Sequence, residues 1–163
     1  MFEELLVTPY TKYIQKLFDI SFRKEWYETY WVFDLHGTIM KPSYDLNDKS
    51  VKYYPFAKEV LQILSKRDDI KLIMWTSSYP LEIEYYNKIF IEDGILFDAI
   101  NENPTISSNN GNFGYYEKKF YFNILFDDKA TFDPENEWES IFNFLMEYEK
   151  TNFLPNKNWT TKY

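Results

Sequence analysis

YWVFDLHGTI, residues 30–39, decides how the rest of the chain is read. Tyr30, Trp31, Val32 and Phe33 form an unbroken aromatic and β-branched run, the pattern of a strand buried on both faces, and the run stops at Asp34-Leu35-His36-Gly37-Thr38. Apolar residues therefore deliver a carboxylate to a tight turn. Open α/β sheets bind ligands in the crevice beyond the carboxyl ends of their strands, so an acid at that point is placed to meet something. Gly37 lets the backbone turn away at once, and Thr38 sets a hydroxyl beside the acid.

Working downstream, Ala57, Val60, Leu61 and Leu64 after Pro55 make a helical stripe, with Lys66 and Arg67 suitably near its carboxyl end. IKLIMW, residues 70–75, reads as a second buried strand ending in Thr76-Ser77-Ser78. Leu81, Tyr85 and Ile89 continue as a helix with Pro80 in its first turn and Gly94 as its stop. A short third strand at 97–100 closes on Asn101-Glu102-Asn103. FNILF, residues 122–126, forms a fourth that runs into Asp127-Asp128-Lys129. Asp133 and Pro134 then introduce a helix carrying Trp138, Ile141, Phe142, Leu145 and Glu149. Upstream, Tyr10, Tyr13, Ile14, Leu17 and Phe18 repeat at helical spacing over 9–18, with Thr8 as cap and Pro9 in the first turn, while 21–28 shows no pattern.

Strands alternating with helices predict a parallel sheet with right-handed crossovers and helices on both faces, a Rossmann-like three-layer α/β sandwich. All strand ends then point one way. Asp34, Thr76 and Asp127, each following a different strand, are expected to converge on one edge. Two irregular stretches flank that edge. Residues 40–54, with Pro42, Asp45, Asn47 and Asp48, read as a hairpin-like flap whose Tyr44, Tyr53 or Tyr54 either lies over a pocket or stays a surface ring; residues 101–116 read as a long loop.

Composition bounds the rest. The 163 residues suit one domain, divided here into an N-terminal helical extension (1–28), a core (29–150) and a tail (151–163). Aromatics at 21% argue for a folded chain, and no apolar run is long enough to span a bilayer. The start, MFEELLVTPY, carries acids where a secretory signal has Lys or Arg, so a cytoplasmic setting is expected. Without cysteine there is no disulfide framework and no thiolate nucleophile. Eighteen Lys and Arg against 26 Asp and Glu give a formal charge of −8, which disfavours a nucleic-acid polymer as partner and leaves room for a small phosphorylated substrate held at a cation. Converging carboxylates repel unless a proton or cation sits between them, and hard oxygen donors favour magnesium.

FDLHGT resembles the first motif of the haloacid dehalogenase-like superfamily, a strand followed by Asp-x-Asp-Gly-Thr, with His36 where its phosphatases carry the second Asp. The resemblance extends in order to Asp128, and KLIMWTSSY, FDAINENP and KKFYFNILFDDKATFDP are similar to small capless members found in bacteria and phages. It implies Asp34 as nucleophile and His36 as the proton-transfer group, with the His36 backbone carbonyl helping to hold Mg2+. It further implies Thr76, or Ser77 beside it, as phosphate binder, Lys119, or Lys118 one position away, as the phosphate lysine, and Asp127 with Asp128 as metal ligands. The two irregular stretches occupy the family's cap positions and are too short to be globular caps. The implied activity is magnesium-dependent phosphomonoester hydrolysis through an aspartyl phosphate, on a nucleotide or a nucleic-acid end. His36 leaves open a module that binds phosphate or nucleotide without turnover. Taken singly, each element has a structural counterpart: Asp34 as a turn former, Thr76 and Ser77 as a helix start, Lys119 as a solvated charge. The order of the four carries the reading.

Overall fold

The computed structural model describes residues 7–43, 51–106 and 114–151. Helix α1 (Pro9–Arg23) starts on a capping box in which the Thr11 N–H donates to the Thr8 hydroxyl (3.2 Å) and the Thr8 N–H donates to that of Thr11 (2.9 Å). It continues past the patterned stretch until the Lys24 N–H closes on the Ile20 carbonyl at 2.9 Å. Then follow β1 (Thr29–Asp34), α2 (Ala57–Ser65), β2 (Ile70–Trp75), α3 (Pro80–Glu92), β3 (Ala99–Ile100), β4 (Ile124–Phe126) and α4 (Glu137–Thr151). The four strands pair in parallel in the order β3-β2-β1-β4. Gly94, with φ of +76°, ends α3 as expected.

Stepping from β1 to β2 to β3 by right-handed crossovers puts α2 and α3 on one face, and the return to β4 lays its connection on the other. The packing follows this. Trp31, Phe33, Leu72, Met74 and Phe126 share one core with Val60 and Leu61 of α2, Phe90 of α3, Ile141 of α4 and Ile14 of α1. Tyr30, Val32 and Ile73, on the alternate positions, pack instead against Ile106, Phe120, Tyr121 and Phe122 from the β3–β4 connection. The α/β sandwich therefore has its parallel sheet flanked by helices, and the described part of the β3–β4 connection, read over 101–116 as a loop from the sequence, lays aromatic rings on the alternate face. Large rings exclude water from that face without the regular backbone of a helix.

The outer strands are shorter than their apolar runs. The Asp98 carboxylate accepts the Leu72 N–H (2.8 Å) and the Asn123 side chain accepts the Tyr30 N–H (2.7 Å). Side chains thus occupy ladder positions that backbone carbonyls would fill, and regular pairing begins only at Ala99 and Ile124. The flap opens as a hairpin stem: Met40 bridges Tyr53 antiparallel, and the Lys41 N–H donates to the Lys52 carbonyl at 2.8 Å. Tyr53 donates its hydroxyl to Asp93 Oδ2 (2.7 Å) at the end of α3, so it anchors the flap and does not roof a pocket. Tyr44 and the rest of 44–50, residues 107–113 and the tail from 152 lie outside the described residues. No helix among the described residues is long and apolar enough to cross a membrane.

Candidate active site

Strand register brings the predicted acids together. Phe33 pairs with Phe126 at the last β1–β4 rung, so Asp34 and Asp127 leave adjacent strands side by side, at the point where the strand order reverses. Carboxylate oxygens of Asp34, Asp127 and Asp128 all lie within 4.8 Å of one another. Burial is the largest influence on Asp34, followed by the Asp127 charge. With a smaller push from Asp128, and against the Thr38 hydroxyl and the Leu35 backbone, they raise its pKa from 3.8 to about 6.

The turn after Asp34 is held by what lies beneath it. Leu35 and Ile39 are fully buried, and the N–H groups of Ile39 and Met40 both donate to the Leu35 carbonyl (3.0 and 3.1 Å). Thr38, also fully buried, joins the two halves of the acid cluster. Its hydroxyl donates to Asp34 Oδ2 (3.1 Å) and accepts the Asp128 backbone N–H (3.0 Å). The Trp138 indole N–H in turn donates to the Thr38 carbonyl at 2.8 Å. Gly37 has φ of +85°, which favours glycine, and a Cβ there would sit 3.0 Å from Asp128 Oδ2, so that carboxylate would have to shift. Asp127 accepts the Lys129 N–H (2.9 Å), capping the 3-10 turn Asp128–Ala130.

Thr76 follows Trp75, the register partner of Asp34. Its N–H donates to the Asn101 side-chain oxygen (2.8 Å) and its carbonyl accepts from the Asn101 amide (2.9 Å), while Asn101 itself sits at φ of +57°. The Thr76 hydroxyl and Ser78 form a local turn, and Ser77 is exposed. Thr76 is thus at the predicted edge, clamped by a loop asparagine. His36 is solvent-exposed by area, yet its ring packs edge-on against Tyr86 at 5.1 Å. That partial desolvation lowers its pKa from 6.5, opposed by Glu82. The imidazole lies toward α3 and is not among the three clustered ligand groups. Lys118 and Lys119 are exposed. The Lys119 ammonium sits 6.0 Å above the Phe122 ring, and among the described residues no ion pair joins either lysine to the acids.

Two participants escape a reading of the sequence. Tyr10 of α1 donates to the Leu125 carbonyl (3.0 Å), and its hydroxyl is raised to about 12 by burial first, then by the charges of Glu137 and Asp127. Glu137 Oε2 is buried with no hydrogen-bond partner among the described residues. In sequence Tyr10 is one more apolar helical position and Glu137 an ordinary first-turn acid, so neither carries a signal.

No protein-family model matches the chain, and no curated protein matches it. A solved structure, that of a conserved protein coded by a locus of Bacteroides thetaiotaomicron, is similar to it with a TM-score of 0.55 and 21% identity, covering 74% of this chain and 91% of that one. At that identity the likeness shows the α/β fold.

Proposed function

We propose that this protein is a magnesium-dependent phosphomonoester hydrolase of the haloacid dehalogenase-like type, with Asp34 as its nucleophile. The observation that carries the reading is the convergence of three carboxylates at the sheet's switch point, where a buried hydroxyl joins the Asp34 carboxylate to the Asp128 backbone. An all-oxygen donor set in which one acid is pushed up to about 6 by burial and by its neighbours suits a hard divalent cation. Asp34, Asp127, Asp128 and the His36 carbonyl would hold it. Bound there, magnesium supplies positive charge that offsets the carboxylates and the phosphoryl oxygens.

The remaining roles fall to the chain itself. Thr38 fixes the rotation of the Asp34 carboxylate. Asp34 attacks phosphorus, the bond to the leaving oxygen breaks, and that oxygen takes a proton from the His36 imidazolium. Water then attacks the aspartyl phosphate, neutral His36 takes its proton, and inorganic phosphate leaves with Asp34 restored. A lowered His36 pKa keeps the imidazole mostly neutral at pH 7, which suits the second step and handicaps the first. Among test substrates, aryl phosphates, whose leaving groups need little protonation, should therefore turn over faster than alkyl ones, nucleotides included. Thr76, with Ser77, and Lys119 complete the phosphate site. A nucleotide is the substrate class favoured by Trp75, the register partner of Asp34. Trp75 is 41% exposed and packs against Phe120 at 5.2 Å, offering a ring on which a base can stack.

A second reading, a phosphate- or nucleotide-binding module without turnover, is favoured by the imidazole's place on Tyr86, outside the carboxylate cluster. Phosphate release from a panel of aryl, alkyl and nucleoside monophosphates, with magnesium and with chelator, separates the two. Magnesium-dependent release by the wild type supports the hydrolase. Release only by His36→Asp supports the binding module, and silence from both variants overturns the hydrolase.

A further inference from the structure

A cavity of about 740 Å3 opens at the other end of the sheet, where Thr29 begins β1 and Asp69 precedes β2. The length of β1, from Thr29 to Asp34, separates it from the acids, about 17 Å along the strand. One wall is a preorganised stack. The Arg67 guanidinium, 9% exposed, donates through Nε and an η nitrogen to the two Asp69 oxygens (2.9 and 2.8 Å), and lies over the Phe18 and Tyr148 rings at 5.1 and 6.0 Å. Asp69 is thereby neutralised.

Helix α1, which supplies Phe18 to that stack, also brings Lys12, Lys16 and Arg23 to the cavity lining from another side of the helix. All three are exposed, and among the described residues none takes part in an ion pair. The lining acid outside the Arg67 pair is Asp19, which accepts the Gln15 amide at 2.9 Å. Three unpaired cations against one acid make this a positive recess in a chain of charge −8. Phe22, 63% exposed, and half-buried Trp26 add flat apolar surface at the rim.

We propose that this recess is a binding site for a small aromatic anion, independent of the reading of the acid edge. Its volume lies within the roughly 300–1,000 Å3 of small-molecule sites. Rings take the flat body, and the ammonium and guanidinium groups take the carboxylate, sulfonate or phosphate. The same chemistry rejects cations and gives uncharged rings only the apolar share.

The test is fluorescence titration of the full-length protein with 1-anilinonaphthalene-8-sulfonate, beside its uncharged counterpart N-phenyl-1-naphthylamine, at low salt. Saturable one-to-one binding is expected, about tenfold weaker for the uncharged probe and about tenfold weaker in Lys12→Glu/Lys16→Glu, two exposed changes that leave the fold intact by circular dichroism. Binding should be unmoved by magnesium and by Asp34→Asn, and weakened by Trp26→Ala. Absence of saturable binding, equal affinity for both probes or equal affinity in the charge-reversed protein overturns the site. Displacement by magnesium would place the probe at the acids and overturn it equally.

Discussion

The two ends of the sheet handle charge in opposite ways. At the amino end Arg67 is locked by Asp69 in a bidentate pair, with Glu149 at 3.7 Å, and the charge is answered where it is buried. At the carboxyl end three acids face one another with oxygens within 4.8 Å, and among the described residues their partners are a hydroxyl and backbone N–H groups, with no ion pair to a cation. Strand polarity alone does not impose this contrast. It teaches that the buried charge at the first end is answered by a partner within the chain, whereas the acids at the second face one another, which is the premise of the proposed cation site.

The comparison breaks most sharply at Asp34. If the acid end is a reaction site, Asp34→Asn should lower magnesium-dependent phosphate release by about a thousandfold or more, roughly 4 kcal/mol of barrier, with the circular dichroism spectrum unchanged. Wild-type rates in that variant would remove Asp34 as nucleophile. At the Arg67 pair the expected loss is in stability. Arg67→Ala strands Asp69 and removes the stack on Phe18, and should cost about 3 kcal/mol in denaturant unfolding, less than a fully dry pair because Asp69 is 35% exposed. A loss below about 1 kcal/mol would mean that solvent already answers that charge.

Thr38→Val probes the joint within the acid end. The shape is kept, but the Asp128 N–H loses its acceptor and Asp34 its donor, for an expected loss of about 2 kcal/mol and a further rise in the Asp34 pKa. The smallest effect carries the clearest sign. Because the folded pKa of Asp34, about 6, exceeds its usual 3.8, the folded state holds this proton more tightly than the unfolded chain. Its contribution is fully present below about pH 4 and lost as the pH rises through 6. In chelator, Asp34→Asn should therefore be more stable than wild type at pH 7.5, by on the order of 1 kcal/mol after allowance for solvent screening, and the gap should close by pH 4. A gap that widens on acidification would contradict the assignment.

Much of this was legible in the sequence because strand polarity converts order along the chain into proximity. Asp34 and Asp127 each follow a buried run, and the register of Phe33 with Phe126 does the rest. Gly37 was legible for its turn but not for its nearness to Asp128, which depends on a loop ninety residues away in sequence. Trp138 reads as helix-face core, and it is core, yet its indole N–H also fixes the Thr38 carbonyl. A hydrophobic pattern has no term for a ring's single polar atom. The sequence extends the outer strands too far because Asp98 and Asn123 fall inside apolar runs, while their side chains occupy ladder sites. The β3–β4 connection was legible as a loop over 101–116, but the packing of Phe120, Tyr121 and Phe122 on the sheet face of Tyr30, Val32 and Ile73 was not.

The most direct test is calorimetric titration of magnesium into the wild-type protein and into Asp127→Asn at pH 7.5. One-site binding by the wild type, weakened about tenfold or more in the variant, is the predicted result. No binding heat in the wild type, or equal affinity in both proteins, would contradict the claim that the three carboxylates form one cation site.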